Sequence, residues 1–180
     1  NGFKFTPSSI VRMNGLDRIT TYVSSTKLRA TILSADLTKA GNYNITVFTP
    51  LPGGGVSAPQ KFTVNNPLPL ISSIFPTSAF TGNDNFAIDV NGSNFVADSK
   101  VELNNVVKAT SYISSTKLLL TLSSSDINKA GNYNITVDNS APGGGVSDNK
   151  VLIVDNPLPN IVSISPTSTT EGSPGFILTL

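Results

Sequence analysis

Few side chains in this sequence can drive chemistry. There is no His and no Cys, so imidazole relays, thiol nucleophiles and thiolate metal sites have no donors. Carboxylates remain. Asp36 and Asp126 lie in the strings Ser-Ala-Asp-Leu-Thr-Lys-Ala-Gly and Ser-Ser-Asp-Ile-Asn-Lys-Ala-Gly. A catalytic carboxylate needs a matched partner in a cleft. These strings read instead as short capped turns ending at Gly41 and Gly131. Pro-Gly-Gly-Gly at 52–55 and 142–145 has glycines that could cradle a phosphate. A phosphate loop, however, continues into Lys-Ser/Thr and a helix, whereas Val-Ser and another strand follow here. The glycines are expected to supply positive φ for a hairpin connection, at a tip that could touch a neighbouring domain. Asn44, Asn91 and Asn134 each open an Asn-x-Ser/Thr sequon, an acceptor pattern for glycosylation. No catalytic, cofactor-binding or metal-ligating residue is expected.

The elements that carry these residues recur. Tyr22 to Leu28 returns as Tyr112 to Leu118, Ala40 to Val47 returns unchanged as Ala130 to Val137, and Pro52 to Ser57 returns as Pro142 to Ser147, each 90 residues on. Pro67-Leu68-Pro69 returns as Pro157-Leu158-Pro159 with the same offset. Roughly half of all positions match in one unbroken register, the signature of an internal repeat. With the boundary at Asn-Pro-Leu-Pro, residues 67–156 form one whole unit. Residues 1–66 are then the later part of a preceding unit, and 157–180 the first strands of a following one. Calcium needs several oxygens together. Asp84 and Asp89 lie early in the unit and Asp138, Asp148 and Asp155 late, but the last three correspond to Phe48, Ala58 and Asn65 in the earlier copy. A repeated calcium site is therefore not expected.

Within residues 67–156 the pattern predicts seven short strands, at 71–75, 86–90, 101–103, 109–113, 117–122, 133–137 and 151–154. Tyr133-Asn134-Ile135-Thr136-Val137 alternates strictly, which places Tyr133, Ile135 and Val137 inward and Asn134 outward, as with Asn44 in the earlier copy. No segment keeps a helical period, so an α/β enzyme is excluded. Turns every eight to twelve residues or so point to an all-β Ig-like sandwich; a barrel is the second architecture the pattern allows. Tyr43 and Tyr133 follow Ala-Gly at the start of the penultimate strand, where a tyrosine corner pins such sandwiches.

The string from Pro69 to Ser78, then Gly82, then Val90-Asn91-Gly92-Ser93-Asn94-Phe95, resembles the opening of an IPT/TIG domain, the Ig-like, plexin and transcription-factor type. Ala130 to Val137 and Pro142 to Gly145 resemble its ending. The resemblance implies tandem Ig-like β-sandwiches with a 90-residue repeat, of the kind found in bacterial or archaeal surface proteins as spacers or adhesion segments, or beside carbohydrate-active enzymes.

Charged residues are only 13% of the chain and its net charge is +1, which argues against a nucleic-acid footprint. No apolar run is long enough to span a bilayer. The expected role is a structural module of an extracellular or cell-surface stalk or filament. Its unit would be completed by the continuing chain or by strands of a neighbouring subunit, so that its partner is another copy of itself. The phase match between the two ends of the sequence suggests a 180-residue period of something longer. Pro67, Pro69, Pro157 and Pro159 stiffen the junctions. The alternative is a cell-surface adhesin or a carbohydrate-binding accessory module of a secreted enzyme, with a glycan or cell-surface ligand. Phe48, Phe75 and Phe80 have no aromatic counterpart in the other copies, where Asp138, Ser165 and Thr170 stand. They are the candidate interface anchors, Phe80 foremost because it is placed in a loop with Thr81, Gly82 and Asn83.

Overall fold

A computed structural model describes residues 1–83 and 86–180; Asp84, weighed above as a calcium donor, lies outside them. The strands, in chain order, begin with β1 (Ile10–Met13), β2 (Leu16–Asp17), β3 (Thr20–Ser24), β4 (Lys27–Ala30), β5 (Gly41–Thr49), β6 (Gly55–Val56) and β7 (Gln60–Val64). They continue with β8 (Leu70–Phe75), β9 (Ser78–Phe80), β10 (Phe86–Ser93), β11 (Lys100–Leu103), β12 (Val106–Val107), β13 (Ala109–Ser114) and β14 (Lys117–Leu122). The last three are β15 (Gly131–Asn139), β16 (Gly145–Val146) and β17 (Lys150–Asp155).

Residues 70–155 make a β-sandwich. One sheet runs β13-β14-β10-β8; the other runs β12-β11-β15-β17-β9, with β16 added on β15. Inward residues of both sheets meet in one core. Ile88, Leu118 and Leu120 come from the first sheet; Val101, Ile135, Val137 and Leu152 come from the second, and all seven are fully buried. Period-2 alternation puts those side chains on one face. On β15 the buried positions Ile135, Val137 and Asn139 alternate with exposed Asn134 and half-buried Thr136 and Asp138. The all-β, Ig-like sandwich expected from the pattern is the fold observed.

All seven strands expected for this unit are present, most of them longer by a residue or a few. The sequence pattern misses β9, β12 and β16, which are two or three residues long. Their pairing partners define them rather than their own propensity. Phe80 is therefore not in a loop. It ends β9, which lies parallel to β17 with Phe80 opposite Asp155, held there by Ile153 N–H donating to Thr77 O (3.0 Å) and Thr81 N–H donating to Asp155 O (2.8 Å). The two Asp-containing turns are 3-10 turns at Ser34–Leu37 and Ser124–Ile127. They end on Thr38 and Asn128, which keep right-handed helical φ, so Gly41 and Gly131 open the next strand instead of closing the turn.

Strands β1–β7 repeat as β11–β17 at the 90-residue offset, down to the register: Arg12 opposes Thr46 as Glu102 opposes Thr136. The earlier part nevertheless forms only a half-sandwich. Its sheet β2-β1-β5, with β6 and β7 also on β5, faces a bare two-stranded hairpin, β3-β4. Among the described residues no strand pairs with the outer edge of β4, where β14 carries β10. Residues 157–180 are exposed throughout and hold a single bridge, Ser165 to Thr179.

Candidate functional site

Three features stand out: a clasp at the junction, paired turn anchors, and an open cleft.

The clasp is built on Asn66. Its backbone N–H donates to Pro142 O (2.7 Å), its carbonyl accepts from Gly144 N–H (2.8 Å), and its Nδ2 donates to Ser140 O (2.7 Å). The linker thus bonds to the glycine loop of the sandwich on three sides. That loop can admit it only because it is glycine. A Cβ on Gly143, at φ 70°, would fall 2.6 Å from Asn66 O, and one on Gly144, at φ 68°, would overlap Asn139 O. Asn139, fully buried, completes the junction: its Nδ2 donates to Pro67 O (2.9 Å) and to Asn94 O (2.8 Å), and its Oδ1 accepts from the Ser99 hydroxyl (2.5 Å). Pro69 is buried and Pro67 exposed; Pro157 and Pro159 are both exposed.

The anchors occur in both copies. Tyr43 Oη donates to Lys39 O (2.7 Å) and Tyr133 Oη to Lys129 O (2.9 Å), each tying the start of a strand to the turn before it. Asp126 closes its turn by accepting from Ser123 N–H at 2.8 Å. It also meets Lys108, whose Nζ is 2.6 Å from Oδ1. These contacts, the Lys108 hydrogen bond first, hold its carboxyl at about 2 against an ordinary 3.8. Asp36 has Arg18 in the same place, 2.8 Å away. Neither carboxylate faces a cleft with a second acid; each fastens a turn to the strand segment beside it. Among the described residues no group of three or more acidic side chains comes together to hold a metal ion.

The cleft lies on the half-sandwich. It has about 660 Å3 of open space, lined by Phe5, Val11, Leu28, Ala30, Ile45 and Val47. Their counterparts at the 90-residue offset, Phe95, Val101, Leu118, Leu120, Ile135 and Val137, are the sandwich core, none more than 2% exposed. An adjoining cleft of about 380 Å3 runs along the Pro52–Gly55 loop.

The other sequence candidates are scattered. Phe48 is half-buried under the Arg12 guanidinium, 3.9 Å from the ring centre, a cation–π contact. Phe75 and Phe80 are 71% and 52% exposed, on β8 and β9. Asn44 and Asn134 are exposed, Asn134 Oδ1 accepting from Asn149 Nδ2 (2.7 Å), while Asn91 is half-buried beside a bulge. Sequence reasoning missed Asn66, the Lys108 and Arg18 ion pairs and Asn139. The ion pairs had a signal, since a basic residue recurs at 18 and 108.

Residues 69–154 match the family described as the IPT/TIG domain. This span coincides with the sandwich. A similar solved structure is a crystal structure of the I9-I11 tandem from titin, 14% identical with a TM-score of 0.33, covering 86% of this chain. The chain spans 57% of the length of that structure. No curated protein matches. IPT/TIG domains are structural or binding modules, typically non-catalytic and often extracellular. Among the described residues no helix is long and apolar enough to cross a membrane.

Proposed function

We propose that this chain is a structural module of an extracellular stalk or filament, with its neighbours in the string being further copies of the same unit. The observation that carries this is the Asn66 clasp. Two flexibly tethered binding domains need no such bond set between linker and loop. A rod that must keep its spacing does, because each hydrogen bond removes freedom at the junction that the prolines alone leave. The sandwich itself suits a load: β15 is nine residues long and lies between β11 and β17, so extension must break whole ladders together. The sequon asparagines Asn44 and Asn134 stand on the exposed face of such a rod.

The test is imaging of the native material by negative-stain electron microscopy, with glycan-array binding of the purified chain beside it. Straight strings with a regular axial repeat and no glycan retention support the stalk. Compact particles that retain glycan, and lose it on Phe80→Ala, overturn it in favour of an adhesin or accessory module.

A further inference from the structure

The two copies agree on the inner face of the sheet they share and differ on its outer face. Inward residues Val11, Val47 and Val64 return as Val101, Val137 and Val154, and Met13 and Phe62 return as Leu103 and Leu152. The residues between them point outward. There Arg12 becomes Glu102, Phe48 becomes Asp138 and Ile10 becomes Lys100, while Lys61 becomes Val151 and Thr63 becomes Ile153. We infer that this outer face is a contact between copies of the chain, in which the face on residues 10–64 of one copy packs side by side on the face on residues 100–155 of another.

The exchange makes the two faces complementary in charge. The first carries Arg12 and Lys61 with one acid, Asp17; the second carries Glu102, Asp138 and Asp155 with one base, Lys100. Asp17 accepts from Arg12 Nε. Among the described residues the two Nη groups of Arg12 have no partner, which leaves the guanidinium fork open to a second carboxylate. Among the same residues Lys61, Lys100, Glu102, Asp138 and Asp155 form no ion pair. Apolar side chains stand between the charges: Phe48 and Val56 on the first face, exposed Val146, Val151 and Ile153 on the second. Sheets of the same twist pack in near alignment, about 10 Å apart. Second face on second face would set acids against acids, so charge selects the unlike pairing.

The occupant is a second copy because the complement of each face is written on the other, on the same strands 90 residues along the same chain. Both faces lie on the far side of their sheet from the core and from the open cleft. The contact also decides the state of two sequons. Asn44 and Asn134 are exposed in the middle of the two faces, so side-by-side packing requires both to be free of glycan. In purpose the inference rests on the stalk reading: it gives neighbouring rods a way to bundle, with unlike units matched.

The chain, half of it grown on heavy nitrogen, is mixed at low salt, joined with a zero-length carbodiimide and digested. The expected products are mixed-isotope peptides joining Lys61 to Glu102, Asp138 or Asp155, lost at high salt because screening removes the attraction between exposed charges. Sedimentation reads the same contact without chemistry. Arg12→Glu with Lys61→Glu, and Glu102→Lys with Asp138→Lys, should each lose the salt-sensitive association, and an equal mixture of the two should regain it. Lys61→Glu alone, at an exposed position, should weaken it in the same direction with the fold intact. Lys39→Glu with Lys129→Glu makes the same change in net charge in the turns before β5 and β15, and should associate like the parent. Absence of the mixed-isotope peptides, association indifferent to reversal of either face, no recovery on mixing, or a glycan on Asn44 or Asn134 of the native chain overturns the inference. If the cross-links are absent while straight strings are still seen, the lateral contact is wrong and the stalk stands. If they form and the native material is only compact particles, the contact stands and the stalk falls.

Discussion

Leu118 faces Val90 across two paired strands, and both are fully buried; Leu28, the counterpart of Leu118, faces the open cleft. The same residue on the same strand thus has two environments, which differ only in whether β8 and β10 are there. Leu118→Ala should cost about 3 kcal/mol, the transfer loss plus an unfilled cavity. Leu28→Ala in dilute solution should cost only about 1 kcal/mol, because its burial is partial. Chemical denaturation of the two variants, followed by strand-specific probes, checks the difference.

Tyr133→Phe removes the bond to Lys129 O and nothing else. The expected loss is about 1 kcal/mol for the sandwich, read as a lower denaturation midpoint at an unchanged slope. A change under a few tenths would mean that the anchor is ornamental.

The lowered pKa of Asp126 has a pH signature. Its carboxyl is held at about 2 in the folded chain against 3.8 when free. Between those values the unfolded chain binds more protons, so stability rises with pH there. The contribution is fully present above about pH 4 and is lost as pH falls through about 2. Denaturant midpoints from pH 6 to pH 2 should show this fall, and Asp126→Asn should flatten it. Lys108→Met should flatten it partly, because Ser123 N–H remains a donor.

Asn66→Ala deletes the Nδ2 bond to Ser140 O while leaving the backbone pair to Pro142 and Gly144. The Gly144 amide should then exchange with solvent about fivefold faster, as the loss of one net hydrogen bond of about 1 kcal/mol implies. Unchanged exchange would remove the clasp as the stiffening element.

Much of this fold is legible from the residues alone, for a physical reason. Strands such as 133–137 write their burial into a period of two, and an exact 90-residue echo fixes which turns belong together. The alternation cannot say whether an inward face is covered. Leu28 and Leu118 look alike in sequence, and only strand pairing separates them. The clasp was hidden for a related reason: Asn66 and Ser140 are far apart in the chain, and an Asn in a Pro-rich linker has no pattern that names its partner. Phe48 looked like an interface anchor because its counterpart is Asp138. Its ring lies against Arg12, where the other copy has Glu102, so that residue pair changed together within one sheet.

The most direct measurement is negative-stain imaging of the native material. The account predicts straight strings with a regular axial repeat and no free bend at the clasped junctions. Compact particles, or strings that bend freely at every unit, would contradict it.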